Sequence, residues 1–370
     1  MYKNQLKYDY MIVGAGLFGS VFAHEATKKG KKCIIIDKRH HIAGNCYTEK
    51  KDNINIHKYG PHIFNTNNKF IWDYINKIHD FDHYQHKVKV NYNDKIFSFP
   101  LNLSTFNELW GMTDIEKIQR RIEKERLKTD RPANLEEWVL SKVGKEIYET
   151  FYKGYSEKQW GTDCKNIPCD IRKRLPIRFT YNDNYHNSLF SGIPSGGSYT
   201  EVFKNLLDGI QVELDTDFYT KLNKTWQQYA KKLVYTGPID KFFDYSCGAL
   251  EYRSLKFKTK KIQKENYQGI SQMNFTDKSI PYTRIIEHKH FSTCKSEVTY
   301  ITHEYPEKWK NGKEMYYPIN NEKNNAILRE YNSLKQSQKD VVISGRMGSY
   351  KYIDMDACIA LAIKEEKNQS

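Results

Sequence analysis

Three observations predict an α/β fold: a glycine-rich turn between a strand and a helix near residue 14, helical patterning after residue 65, and strand-like alternation after residue 210. The architecture they imply is a Rossmann-like dinucleotide-binding domain with an inserted, mostly helical domain and an additional antiparallel sheet. No internal repeat and no long Pro/Gly/Ser linker separates these parts. The domains are therefore expected to interleave: 1–64 with about 200–260 and 335–370 for the dinucleotide domain, about 65–180 for the helical insertion and lid, and about 181–200 with 261–334 for a sheet-rich substrate region.

The elements follow in order. Residues 8–13 are apolar and β-prone and read as a buried strand. Gly14-Ala15-Gly16-Leu17-Phe18-Gly19 comes next, then a helix over 20–29 closed by Gly30. A second strand over 32–36 ends at Asp37. Each glycine of this βαβ unit has a physical reason. Gly14 makes the tight turn, Gly16 lets the backbone approach a pyrophosphate, and Gly19 lets the helix pack closely. The helix start offers N–H groups to phosphate, and Asp37 can accept from ribose hydroxyls. Helices are expected over 69–79, 115–128, 135–144 and 145–155, and a hairpin over 86–100 turns at Asn93-Asp94. Strand alternation returns, as at 297–301. The chain closes with a strand over 340–345, a loop from Arg346 to Asp354 and an apolar helix over 355–362; the tail 364–370 reads as frayed.

NAD and FAD share the first fingerprint. The closing strand–loop–helix, with Gly345-Arg346-Met347-Gly348 in its loop, decides for FAD. A second helix N-terminus can hold the flavin pyrimidine edge and stabilise negative charge on a reduced flavin.

Composition bounds the partners. The net charge is +14, but lysines are spread along all 370 residues with no dense basic tract beside an aromatic platform. A solvated basic surface, or an anionic small-molecule ligand, fits better than nucleic acid. Seven scattered cysteines without C-x-x-C spacing suggest neither a disulfide framework nor a zinc knuckle, and point to the cytoplasm. No apolar run reaches membrane-span length, and the fingerprint begins too early to follow a secretory signal. His288 and His290, at strand spacing, face the same way but lack a third ligand, so no metal is expected.

Several segments are rich in both rings and cations: 151–161, Arg172-Lys173-Arg174 with Tyr181 and Tyr185, 280–284, and Tyr316-Tyr317-Pro318. Rings can stack on a base and arginine can grip a diphosphate, although ordinary packing explains any one of them alone.

These residues resemble a known family. Asp37-Lys38-Arg39 with Gly44-Asn45-Cys46-Tyr47, then 56–64, 154–161, 235–240, 250–255, Pro281-Tyr282-Thr283-Arg284 with Glu287-His288-Lys289, and Gly345-Arg346 with 350–355 are similar to segments of UDP-galactopyranose mutases of the shorter, bacterial type. The resemblance runs from about 8 to 363. It implies FAD contacts at Gly14, Gly16, Phe18, Asp37, Lys38, Asn45, His62, Ile63, Arg346, Ile353, Asp354, Met355, Asp356 and Ala357. It implies UDP-galactose contacts at His86, Phe151, Tyr155, Trp160, Tyr185, Asn274, Tyr317 and Tyr352, with Arg174 and Arg284 as the catalytic, diphosphate-holding pair. It also implies a homodimer, a lid around 165–178, and an isomerisation without net redox change, in which the N5 of reduced flavin attacks the sugar's anomeric carbon. Ala43 stands where the family often has glycine, the 196–199 junction is one residue longer than usual, and His86 occupies a variable position. A conventional FAD-dependent oxidoreductase and a non-catalytic anion-binding protein are the competing readings.

Overall fold

The computed structural model describes residues 6–169 and 176–369. Strand β1 (Tyr8–Val13) lies parallel between β2 (Cys33–Ile36) and β11 (Ala230–Tyr235); β10 (Gln211–Glu213) flanks β2 and β17 (Val341–Ile343) flanks β11. All four pairings are parallel, and such a sheet needs cover on both faces. One face packs Ile12, Ile35 and Val234 against Phe18 and Phe22 of the first helix, Val202 and Phe203 of helix Tyr199–Leu206, and Ile359 of helix Met355–Lys367. The other packs Met11, Ile34, Ile36 and Leu233 against Trp226, Tyr331 and Tyr350.

The first helix is Leu17–Lys28, so it starts inside the glycine motif rather than at residue 20. Gly16 is its N-cap, with no side-chain cap. Periodicity places a helix by its apolar face and misses the turn that begins it. Gly30, at φ 75°, donates its N–H to the Thr27 carbonyl and ends the helix.

The second sheet has seven strands, in the order β16 (Tyr317–Pro318), β12 (Tyr252–Ile262), β15 (Thr299–Lys308), β14 (Arg284–Glu287), β13 (Gln272–Phe275), β7 (Val88–Tyr92), β8 (Lys95–Phe99). Every pairing is antiparallel except β13 with β7. The expected hairpin forms, with Asn93 and Asp94 both at positive φ (50° and 61°), the geometry a two-residue turn demands. The hairpin is also the join between this sheet and the helices. Val88, Val90, Phe97 and Phe99 pack against Phe106, Ile118, Ile122, Val139, Ile147 and Phe151 in a second core. Two small sheets, β3 (Thr48–Lys51) with β4 (Ile54–His57), and β9 (Phe190–Pro194) between β5 (Phe64–Thr66) and β6 (Phe81–His83), complete the strands.

Within the insertion the helices are Lys69–Ile78, Leu103–Trp110, Ile115–Glu125 and Leu135–Val143. The last expected helix, over 145–155, continues to Trp160: Lys145–Ile147, a six-residue π stretch Tyr148–Lys153, then Gly154–Trp160. Among the described residues, three helices of eight or more residues escaped the sequence reading: Leu103–Trp110, Tyr199–Leu206 and Glu322–Gln336. Glu322–Gln336 buries only Asn324 and Tyr331, so it has little apolar period to detect. The C-terminal helix runs on through the tail expected to fray, because Glu366 is buried and pairs with Lys29 at 2.6 Å.

A Cβ on Gly19 would stand 2.1 Å from the Gly14 carbonyl oxygen. Gly19→Ala therefore forces the first helix off the sheet. A melt should register a loss of about 1–3 kcal/mol or more, with lower bound-dinucleotide content; a variant with an unchanged melt and full dinucleotide content contradicts the close-packing role.

Candidate active site

The dinucleotide side is built at the carboxyl ends of β1, β2 and β11. Gly14 takes φ 110°, and a Cβ there would fall 2.2 Å from Thr236 Oγ1, whose hydroxyl donates to the Val13 carbonyl at 2.7 Å. Gly16 meets only the Gly44 Cα at 3.9 Å, so its backbone is open to close approach. Asp37 accepts the Ala15 N–H at 2.8 Å and the Arg39 N–H at 2.9 Å, which anchors both turns and leaves lone pairs for a ribose. Ala43 adopts φ 74°, so the turn into Gly44–Cys46 goes left-handed in spite of its methyl group. Asn45 accepts from Arg39 at 3.0 Å. Lys38 is largely exposed and pairs with Glu314; Arg39, which the sequence reading passed over, is the enclosed member, on Glu314 at 2.7 Å and 4.4 Å above the Tyr59 ring.

The C-terminal unit closes on this cradle. A Cβ on Gly345 would lie 3.3 Å from Phe18, and Met355 Sδ is 3.9 Å from Cys46 Sγ. Residues Ile353 to Ala357 form the N-terminus of helix Met355–Lys367, whose N-cap Asp354 makes no side-chain cap bond. Arg346 donates from Nη2 to the Tyr316 carbonyl and lies over the rings of Tyr352 (4.7 Å) and Tyr317 (5.7 Å). Its Nε is buried with no partner among the described residues. Ile63 is buried, and His62 Nδ1 contacts the Gly60 carbonyl oxygen at 2.9 Å. A buried donor without an acceptor, two helix starts without side-chain caps and an open glycine approach fit a dinucleotide with a further polar ring.

Strand register sets the substrate side. Asn274 on β13 lies opposite Arg284 on β14, which lies opposite Glu304 on β15. Arg284 donates from Nε (2.8 Å) and Nη2 (2.6 Å) to one oxygen of Glu304, which is 1% exposed. Burial works most strongly against the Arg284 charge, but the Glu304 carboxylate, together with Tyr155 and Tyr317, more than offsets it and raises the pKa. Tyr155 and Tyr317 both interact electrostatically with Arg284 and Glu304, and Tyr317 also with Tyr352 and Arg346. Rings connect Trp160 to Tyr317 (6.3 Å) and Tyr317 to Tyr352 (5.8 Å, near parallel). His86 is buried; its Nε2 meets Gln272 Oε1 at 3.3 Å, and Gln272 donates to Asn274 Oδ1 at 2.9 Å. Tyr185 sits 5.5 Å from the His86 ring and donates its N–H to the His86 carbonyl. Burial holds His62 down at about 4 and His86 at about 3, so both are neutral near pH 7.

Not every expected residue faces this cluster. The Phe151 ring packs between Phe97 and Phe99 in the second core. Tyr181 is 63% exposed. Arg174 lies outside the described residues. His288 and His290 occupy a short turn, His288–Phe291, rather than a strand, and reach different partners: Thr302 at 2.7 Å and Asn266 at 3.1 Å. The extra residue at the 196–199 junction is absorbed by Gly196 and Gly197, both at φ 79°. Glu304 and Lys158 were missed; a carboxylate twenty residues beyond Arg284 has no sequence signal until the strands are paired.

Comparison with known proteins settles the family. The family model described as UDP-galactopyranose mutase matches residues 150–352. The chain is 40% identical, over 96% of its length and 93% of the other's, to the Klebsiella pneumoniae protein named "Probable UDP-galactopyranose mutase". The chain belongs to the UDP-galactopyranose mutase family. The chain is also 36% identical to the dTDP-fucopyranose mutase of Escherichia coli, over 96% of each chain. A model of NAD(P)-binding Rossmann-like domains matches residues 12–78. Among solved structures, reduced UDP-galactopyranose mutase superposes with a TM-score of 0.75 at 14% identity, covering 98% of this chain and 95% of that one. Putrescine oxidase superposes at 0.58 and 10% identity, covering 98% and 99%, which shows a shared fold. The mutase family thus shares its architecture with an oxidase.

Removing Glu304 leaves the Arg284 charge buried without its partner. Glu304→Ala should lower the urea midpoint by the equivalent of about 3–5 kcal/mol at unchanged m-value. A loss below about 1 kcal/mol would place the pair in solvent-screened surroundings.

Proposed function

We propose that this chain interconverts UDP-galactopyranose and UDP-galactofuranose, with FAD in its reduced form. The observation that carries the reading is the row Asn274, Arg284, Glu304, set beside Tyr155, Trp160 and Tyr317 and next to Arg346 and His62 at the dinucleotide end. When bound, reduced flavin supplies a nucleophilic ring nitrogen, N5, at the sugar's anomeric carbon, with no net redox change.

The protein's own part is positioning and charge. Arg284 spends Nε and one Nη2 hydrogen on Glu304, and the other face of its fork is the donor set for a departing diphosphate. Arg174 is assigned the second diphosphate contact on the family resemblance. Tyr155 and Trp160 offer ring faces to the base. The neutral imidazoles of His62 and His86 give hydrogen-bonding partners without competing with the arginines for charge. His86 Nδ1 is buried without a partner among the described residues and suits a sugar hydroxyl. Arg346 Nε has the same status at the flavin edge. Seven scattered cysteines suit a reducing cytoplasm, and the family resemblance supports a homodimer.

Protein reduced with dithionite should convert UDP-galactofuranose to UDP-galactopyranose, and oxidised protein should not. Conversion of dTDP-fucopyranose but not of the UDP-sugar would overturn the substrate; equal activity with reduction excluded would overturn the role of the flavin. Arg284→Ala should retain FAD and lose at least about tens-fold in kcat/KM, with Arg284→Lys recovering part because lysine lacks the planar fork. UDP should quench tryptophan fluorescence, and Trp160→Phe should lose much of that signal; an undiminished signal moves the base away from Trp160.

A further inference from the structure

Lys158 lies on helix Gly154–Trp160, between Tyr155 and Trp160, and its ammonium is held by backbone oxygens. It donates to four backbone carbonyls: Phe275 (2.8 Å), Asp277 (2.7 Å), Ile280 (3.0 Å) and Tyr282 (3.0 Å). Three N–H groups serve four acceptors, so the oxygens enclose the ammonium much as they would a monovalent cation. Phe275, next to Asn274, ends β13, and the other three lie on the loop that joins β13 to β14, as far as Tyr282, two residues before Arg284.

Other contacts fix the same helix to the same loop. A Cβ on Gly154 would stand 2.1 Å from the Thr276 carbonyl oxygen, so helix and loop touch backbone to backbone. Glu157 pairs with Lys278 at 2.9 Å. At the helix end, Arg253 on β12 donates to the carbonyls of Gln159 (2.9 Å) and Lys158 (3.2 Å), and Gly161 at φ 68° makes room for its guanidinium.

We propose that Lys158 is a positioning residue for the nucleotide-sugar site: its caged ammonium locks the loop carrying Asn274 and Arg284 to the helix carrying Tyr155 and Trp160. The base and diphosphate contacts then keep one spacing before ligand arrives. The inference rests on the mutase reading given above. The role needs a charge with three donors. Burial brings the Lys158 pKa down to about 8, with exposed Asp277 acting in the opposite direction. Lys278 on the loop, Glu157 on the same helix and Arg253 on β12 pair or hydrogen-bond on this helix and loop, and Tyr282 packs on His303 of β15. Raising the pH through about 8 therefore removes a donor and the charge together.

The test uses full-length, FAD-loaded, reduced enzyme. Lys158→Ala should raise KM for UDP-galactofuranose by about tenfold or more, with kcat within about threefold and FAD content unchanged; added ammonium or methylammonium ions should restore part of the KM. An unchanged KM, or a raised KM that neither ion lowers, overturns the cage. Should Lys158→Ala fail to fold, Lys158→Met, which keeps the stem and removes the charge, decides: KM should rise about tenfold with kcat level, and an unchanged KM overturns the proposal. Wild-type enzyme without mutase activity would instead overturn the reaction assigned above, and not the cage.

Discussion

The geometry of the candidate site depends on one buried ion pair. Arg284 cannot shed its proton, and it sits where Glu304 is 1% exposed. At an effective dielectric of about 20, unit charges about 4 Å apart attract by roughly 4 kcal/mol. Desolvation removes several kcal/mol per ion. The pair thus comes close to break-even for folding, and an apolar pair of equal volume would serve stability as well. On the proposed reading, its presence is explained by what the arginine does with the donors that Glu304 leaves over. The antiparallel register of β13, β14 and β15 sets that geometry, because it places Asn274, Arg284 and Glu304 in one row.

The same logic governs the other end of the site. The dinucleotide cradle is assembled from distant segments: the fingerprint at Gly14, Thr236 after β11, the turn at Ala43, and Gly345 with Arg346 after β17. Gly14 is excluded from carrying a side chain by Thr236, and Gly345 approaches Phe18. Changes at either end of the chain therefore meet in one place. Arg346, lying over Tyr317 and Tyr352, is the bridge between cradle and sugar side.

Legibility from sequence followed the range of the interactions. The first strand, the fingerprint and the Asn93-Asp94 hairpin were readable because each is decided by neighbours within a few residues. Helix Glu322–Gln336 was not, since almost none of its face is buried. The tail expected to fray is held by Glu366 and Lys29, a contact across more than 330 residues. On the substrate side Tyr155, Trp160, Arg284 and Tyr317 were visible and come together, yet their supports were not: Glu304 depends on strand register, and the Lys158 cage on a loop more than a hundred residues away. The Phe151 ring packs on Phe97 and Phe99, in the core that Trp160 and Tyr185 also border. Arg174 falls outside the described residues.

The central claim is that Arg284, held by Glu304, acts on the diphosphate and not on the base. Calorimetric titration of UDP and of uridine into wild-type and Arg284→Ala protein tests it most directly. The account predicts that the substitution weakens UDP by at least about tenfold and leaves uridine unchanged. Equal weakening of both ligands would contradict it, and would make Arg284 a structural support of the pocket.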